Sequence, residues 1–125
     1  MTKNEISKIV VDCCYKIHTA LGPGLFESVY EEVLTYEFNS RKINYERQVD
    51  VPVEYQGLKM GIGFRADIIV EKKIILELKS VEKILPIHKK QLLTYLKLTK
   101  LKLGLLVNFN EALIKDGITR IVNNL

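Results

Sequence analysis

Apolar residues recur at helical spacing along the first third of the chain and at a period of two after Tyr45, and this change of period divides the sequence. Ile6, Ile9, Val10, Cys13, Cys14, Ile17 and Leu21 form one stripe of a first helix, which Thr2 and Glu5 open as a T-x-x-E capping box. Gly22-Pro23-Gly24 stops it. A second helix starts near Phe26, turns Tyr30, Val33, Leu34 and Phe38 inward and fades at Asn39-Ser40. Two helices therefore precede any strand.

From Tyr45 onward, Val49, Val51, Val53 and Tyr55 alternate with polar residues or Pro52, and Gln56-Gly57 marks a turn. Pro52 lacks a ladder donor, which predicts an edge position for this strand. Residues 61–70 read as a second strand and 73–79 as a third. Pro86 suits the first turn of a third helix running to about Lys100. Residues 103–109 are almost all apolar, as in a strand buried on both faces, and Ile118–Val122 closes the series. The third strand, third helix and following strand form a β-α-β unit, which requires a parallel pair with a right-handed crossover. The order ααβββαββ predicts an α/β fold with a mixed central sheet flanked by helices. No linker, repeat or low-complexity segment interrupts it, so residues 1–125 read as one domain.

Composition adds limits more than direction. A chain of 125 residues with 47% hydrophobic and 27% charged residues has room for one core and is not disordered. No apolar run reaches the roughly 20 residues of a membrane span, and the N-terminus lacks a signal-peptide core, so the expectation is a soluble, cytoplasmic protein without membrane partners. Cys13 and Cys14 are adjacent, poorly placed to bridge each other and without metal-ligand spacing, which makes them core residues. A net charge of +4 permits a polyanionic partner without requiring one.

The candidate chemistry lies in the hairpin Phe64-Arg65-Ala66-Asp67-Ile68-Ile69-Val70, Glu71-Lys72-Lys73, Ile74-Ile75-Leu76-Glu77-Leu78-Lys79. Alternation puts Arg65, Asp67 and Ile69 on one face and Phe64, Ala66, Ile68 and Val70 on the other. A three-residue loop at 71–73 sets Val70 opposite Ile74 and so Asp67 opposite Glu77, with Lys79 on the same face and Arg65 beside it. Like charges directly opposite destabilise a sheet unless a cation lies between them. Two hard carboxylates suit Mg²⁺ or Mn²⁺, which take one or two protein carboxylates and leave room for water and phosphate. Lys79 is placed to hold a phosphate oxygen or the attacking water, and Arg65 to clamp a phosphate. The alternative is a salt-bridged hairpin with one face in solvent, and the hairpin by itself leaves both open.

Glu27 falls near the centre of the stripe of Tyr30, Leu34 and Phe38, so a third carboxylate is expected on the core side of the second helix; a first-turn acid favoured by the helix dipole is the simpler alternative. Gly24-Leu25-Phe26-Glu27-Ser28-Val29-Tyr30 resembles the signature of the GxxExxY proteins. Asp67 with Glu77-Leu78-Lys79 resembles the D…(D/E)-x-K core of the PD-(D/E)XK nuclease superfamily, to which that family is assigned. Gln91-Leu92-Leu93-Thr94-Tyr95 looks like the Q-x-x-x-Y element of RecB-like nucleases, and Ala66 stands where the superfamily name has Pro. The resemblance implies a restriction-endonuclease-like fold, metal held or oriented by Glu27, Asp67 and Glu77, and Lys79 as the catalytic lysine.

Gln91 and Tyr95 lie four apart on one helix face, to brace Glu77 and Lys79, to contact a nucleic-acid backbone, or simply to pack with Leu92 and Leu96. His88 is expected to serve the helix start, and His18 the C-terminal end of the first helix. Lys89, Lys90, Lys97, Lys100 and Lys102 fit a backbone-binding surface and a solvated helix face equally. The leading expectation is a Mg²⁺- or Mn²⁺-dependent nuclease acting on nucleic acid, DNA before RNA. A catalytically silent nucleic-acid-binding or protein-interaction module that keeps the fold is the alternative. A homodimer through the exposed edge strand would add grip to so small a chain.

Overall fold

The computed structural model describes the whole chain from Met1 to Leu125. Its elements run α1 (Lys3–Leu21), α2 (Glu27–Ser40), β1 (Tyr45–Tyr55), β2 (Leu58–Val70), β3 (Ile74–Lys79), α3 (Pro86–Thr99), β4 (Leu103–Asn108), a 3₁₀ turn (Ile114–Gly117) and β5 (Ile118–Val122). The order ααβββαββ is the one the sequence pattern predicts. The capping box at the start of α1 is formed, with Thr2 and Glu5 exchanging two hydrogen bonds of 3.1 Å. At its other end the Gly22 N–H donates to the His18 carbonyl, and Gly22 takes a φ of 72° that a larger residue adopts only with strain.

The five strands lie in sequence order, β1-β2-β3-β4-β5. Only the β3/β4 pair, joined through α3, is parallel; the others are antiparallel. β1 is an edge, as Pro52 requires. α1 and α2 cover one face, where Ile6, Val10, Cys13, Cys14, Ile17, Leu34 and Phe38 meet Ile68, Val70, Ile74, Leu76, Leu103, Leu105 and Val107. α3 covers the other through Leu92 and Leu96, against Ile75, Leu106, Ala66, Phe64 and Val51. Each fully buried aliphatic side chain contributes about 1.5–3 kcal/mol, so the larger α1/α2 face carries most of the stability. Both cysteines are buried there and burial raises both thiols, consistent with unreactive core residues. No helix is long and apolar enough to cross a membrane.

Two strand readings need correction. β2 begins at Leu58 rather than Gly61, because the hairpin tip extends past the sheet with Leu58, Met60 and Ile62 exposed, and an apolar period facing no core carries no boundary signal. At Gly63 an added Cβ would collide with Val53, so the close approach of β1 requires glycine there. The second correction concerns faces. Phe64 and Ala66 pack on the α3 side whereas Ile68 and Val70 pack under α1 and α2, so the four do not share a face. β1 switches at the same level: Tyr45 packs with the α1/α2 core, and Val49 and Val51 with α3. The switch falls at Gln48 and Asp67, a level missing from the β1/β2 ladder, and Gln48 has a φ of 48°; the register shifts a second time between Val51 and Val53. A non-glycine residue in this region within a strand stores strain, and it lets the outer half of the hairpin turn across α3.

Candidate active site

β3 ends at the site because its partners diverge there. The β2/β3 ladder runs Val70↔Ile74, Ile69↔Ile75, Ile68↔Leu76, which is the register expected from the three-residue loop, and then stops. One step further, side chains replace the backbone bonds: the Asp67 N–H donates to Glu77 Oε1 at 3.3 Å and the Leu78 N–H donates to Asp67 Oδ2 at 2.9 Å. The splayed strands are therefore held together by the two carboxylates. Asp67 is half-buried and Glu77 only 8% exposed, and no basic side chain forms a salt bridge with either. Burial pushes the Glu77 carboxyl up to about 8, with the Asp67 charge as the second cause; the Asp67 N–H and Lys79 oppose the rise.

Glu31 shows what a compensated acid looks like in the same neighbourhood. It is equally buried, yet Arg47 Nε and Nη2 donate to its Oε2 at 3.1 and 2.9 Å and Gln48 Nε2 donates to its Oε1 at 2.7 Å. These bonds, with a second ion pair to Glu32 at 2.8 Å, also raise the Arg47 guanidinium. Glu31 thus fixes the strained Gln48 opposite Asp67. Glu27, Glu31, Gln48, Asp67 and Leu78 line one cavity of about 180 Å³.

Glu27 is exposed, not on the core side as its helical stripe suggests, because the first turn of α2 extends beyond the sheet. It faces the same cavity as Asp67, and its Oε1 accepts a 3.3 Å bond from the Ser80 N–H. No three His, Cys, Asp or Glu side chains converge into a complete ligand set. The donor chemistry nevertheless fits Mg²⁺ or Mn²⁺: an adjacent pair of carboxylates without a salt-bridge partner, of which Asp67 lines a cavity where water and phosphate can complete the coordination.

The loop between α1 and α2 explains the spacing from Gly24 through Glu27 to Tyr30. The Tyr30 hydroxyl donates to the Gly22 carbonyl at 2.6 Å and accepts from the Leu25 N–H at 3.2 Å, while its ring stacks on Phe109 with centroids 4.3 Å apart. Gly24, at a φ of 94°, allows the reversal. Ser80 Oγ donates to the Leu25 carbonyl at 2.6 Å, so the loop is tied to the residue following Lys79. Asn108, fully buried beside Lys79 on β4, holds Val81, two residues past Lys79, through a 3.1 Å bond from the Val81 N–H and a 2.9 Å bond to its carbonyl.

Tyr95 stacks on Phe64 at 3.7 Å, and burial, followed by the charges of Glu77 and Asp67, raises its phenol. Gln91 is exposed. Arg65 is not beside Lys79: the ladder to β3 has ended at its level and it pairs with Asp50 of β1 at 2.6 Å. The His88 ring opens α3, its Nδ1 accepting from the Leu85 N–H at 3.0 Å, and His18 Nε2 donates to the Glu111 carbonyl at 2.8 Å. Glu31, Gln48, Ser80 and Asn108 are site-forming residues that sequence reasoning missed. Glu31 sits one turn after Glu27, and Asn108 is the lone polar residue closing an apolar strand, and both signals were there to be read.

Helices on both faces of a mixed sheet, with Asp67 of β2 and Glu77 of β3 paired beside the end of β3, where Lys79 lies, define a restriction-endonuclease-like α/β fold. The model of the PD-(D/E)XK nuclease superfamily matches residues 4–121, and the chain belongs to that superfamily. No curated protein and no solved structure matches it.

Proposed function

We propose that the protein is a Mg²⁺- or Mn²⁺-dependent nuclease of the GxxExxY type that hydrolyses phosphodiester bonds in nucleic acid, DNA before RNA. The observation that carries this reading is the pair of Asp67 and Glu77, hydrogen-bonded across a splay in the sheet with no salt bridge to either. Buried like charges are costly without a cation, whereas Glu31 nearby shows that the chain neutralises an acid when its role is structural. Superfamily membership supplies the reaction class.

Asp67 and Glu77 would hold the ion, and Glu27, across the cavity from Asp67, would orient the water. A divalent ion bound there supplies Lewis-acid activation of water and phosphate. The Lys79 ammonium, on the strand that carries Glu77, stabilises the charge that builds on phosphate oxygens during attack. The Asp67 and Leu78 N–H bonds keep both carboxylates oriented before substrate arrives, which reduces reorganisation during the reaction. Tyr95 shields the pair from one side, and Gln91, on the same helix face, is placed for the nucleic-acid backbone.

Cleavage of labelled single- and double-stranded DNA and RNA, with and without Mg²⁺ or Mn²⁺, tests the reading. Turnover is expected only with metal and should be lost in Asp67→Ala and Lys79→Ala. Activity that survives either substitution sinks the site assignment, and metal-independent binding without turnover supports a silent binding module instead. Pairing of two copies through the free edge of β1 belongs to the same reading, and a monomer mass at micromolar concentration excludes it.

A further inference from the structure

Phe26 is the most exposed large apolar residue of the chain, at 82%. It precedes Glu27, and its backbone is fixed on both sides: Tyr30 bonds Gly22 and Leu25, and Ser80 bonds Leu25 and Glu27. The ring is thus presented at a set place while contributing little to the core. Beside it lies a cavity of about 500 Å³, bordered by Glu27, Ser28, Ser80 and Asn110. Glu27 and Ser28 also border the smaller cavity that Asp67 lines, so the aromatic rim is contiguous with the cavity of Asp67.

Resting on the nuclease reading, we infer that Phe26 is a stacking platform for an unpaired base beside the scissile phosphate, and that the preferred substrate is single-stranded nucleic acid. A protruding ring next to a polar pocket matches a nucleobase, which has an apolar face and a hydrogen-bonding edge; Ser28, Ser80 and Asn110 offer partners for that edge. A protein-docking patch would be apolar around its anchor, whereas here only Leu25 joins Phe26 as a hydrophobic lining residue, and Glu27, Ser28, Ser80 and Asn110 are polar. Bases inside a duplex already stack on their neighbours and offer no free face to Phe26. The net charge of +4 is compatible with a polyanionic ligand.

The chain contains no tryptophan, so Phe26→Trp introduces a unique fluorophore at the rim. In a Lys79→Ala background with Mg²⁺ present, this protein is titrated with a labelled single strand and with the corresponding duplex. Indole quenching reports stacking, and anisotropy of the oligonucleotide label reports binding independently. The single strand should quench the indole and bind more tightly than the duplex. Phe26→Ala should weaken single-strand binding on the order of tenfold with little effect on the duplex, and Phe26→Leu should not restore it. Binding without quenching, or equal losses for both substrates, overturns the inference and leaves the nuclease reading intact. Absence of binding to either substrate overturns both. A dimer that Phe26→Ala converts to monomer in sedimentation assigns the ring to a second copy and also overturns the inference.

Discussion

Replacing Glu77 by Gln should stabilise the metal-free protein, and the gain should grow with pH. The Gln carbonyl can still accept the Asp67 N–H, but the buried site no longer has to carry a second negative charge. Below about pH 4.5 the Glu77 carboxyl is protonated in both folded and unfolded chains, so the substitution changes little there. Between 4.5 and about 8 the unfolded chain releases its proton first, the folded state binds more protons, and stability falls as pH rises. At about 1.4 kcal/mol per tenfold, the rise from 4.5 to about 8 sets an upper limit of about 5 kcal/mol above pH 8 and about 3 kcal/mol at pH 7. Water entering the splay reduces this, and a gain of about 1–3 kcal/mol at pH 8 is expected. Urea denaturation in EDTA at pH 5 and pH 8 measures it. Added Mg²⁺ should stabilise the native sequence at pH 8 and Glu77→Gln much less, reversing their order. A gain that is the same at both pH values, or a variant less stable than the native protein at pH 8, would refute the claim that Glu77 is held against an uncompensated charge.

Three further outcomes follow from the scaffold. Tyr30→Phe keeps the stack on Phe109 and removes the hydroxyl that bonds Gly22 and Leu25; it should cost about 1–2 kcal/mol by denaturant titration and lower cleavage, since the loop leading into Glu27 loses its anchor. Asn108→Ala removes the bonds that hold Val81 at the end of β3, and should destabilise by about 1–3 kcal/mol while raising amide exchange at Val81. Gly117→Ala drives a Cβ into the Asn108 carbonyl, a backbone atom that cannot swing aside, so its thermal midpoint should fall by several degrees; an unchanged midpoint would show that the 3₁₀ turn gives way freely.

The element order was legible because each segment carries its own period: a helical stripe through Ile6 to Leu21, alternation through Val49 to Tyr55, a continuous apolar run in β4. The β2/β3 register was legible too, since one loop length keeps Ile68 and Val70 on the side of Leu76 and Ile74. The hairpin tip was not, because Leu58, Met60 and Ile62 alternate without facing a core. Arg65 was misplaced for a related reason: strict alternation was extended through Asp67, where the strands switch faces and the ladder to β3 ends.

The residue types of the acid pair and the lysine, and their order along the chain, were set by sequence, because charge within apolar strands is conspicuous wherever it occurs. Tertiary structure decided which acids are neutralised. Glu31 and Glu77 are carboxylates of equal burial, and only the fold shows that one meets Arg47 and the other meets Asp67. It also decided that Glu27 lies at the rim instead of in the core, since helix periodicity fixes a direction around the axis but not where the sheet beneath it ends. Side-chain spacing is a local property that sequence reports directly; desolvation and charge compensation depend on segments distant in sequence, and they exist only once those segments are packed together.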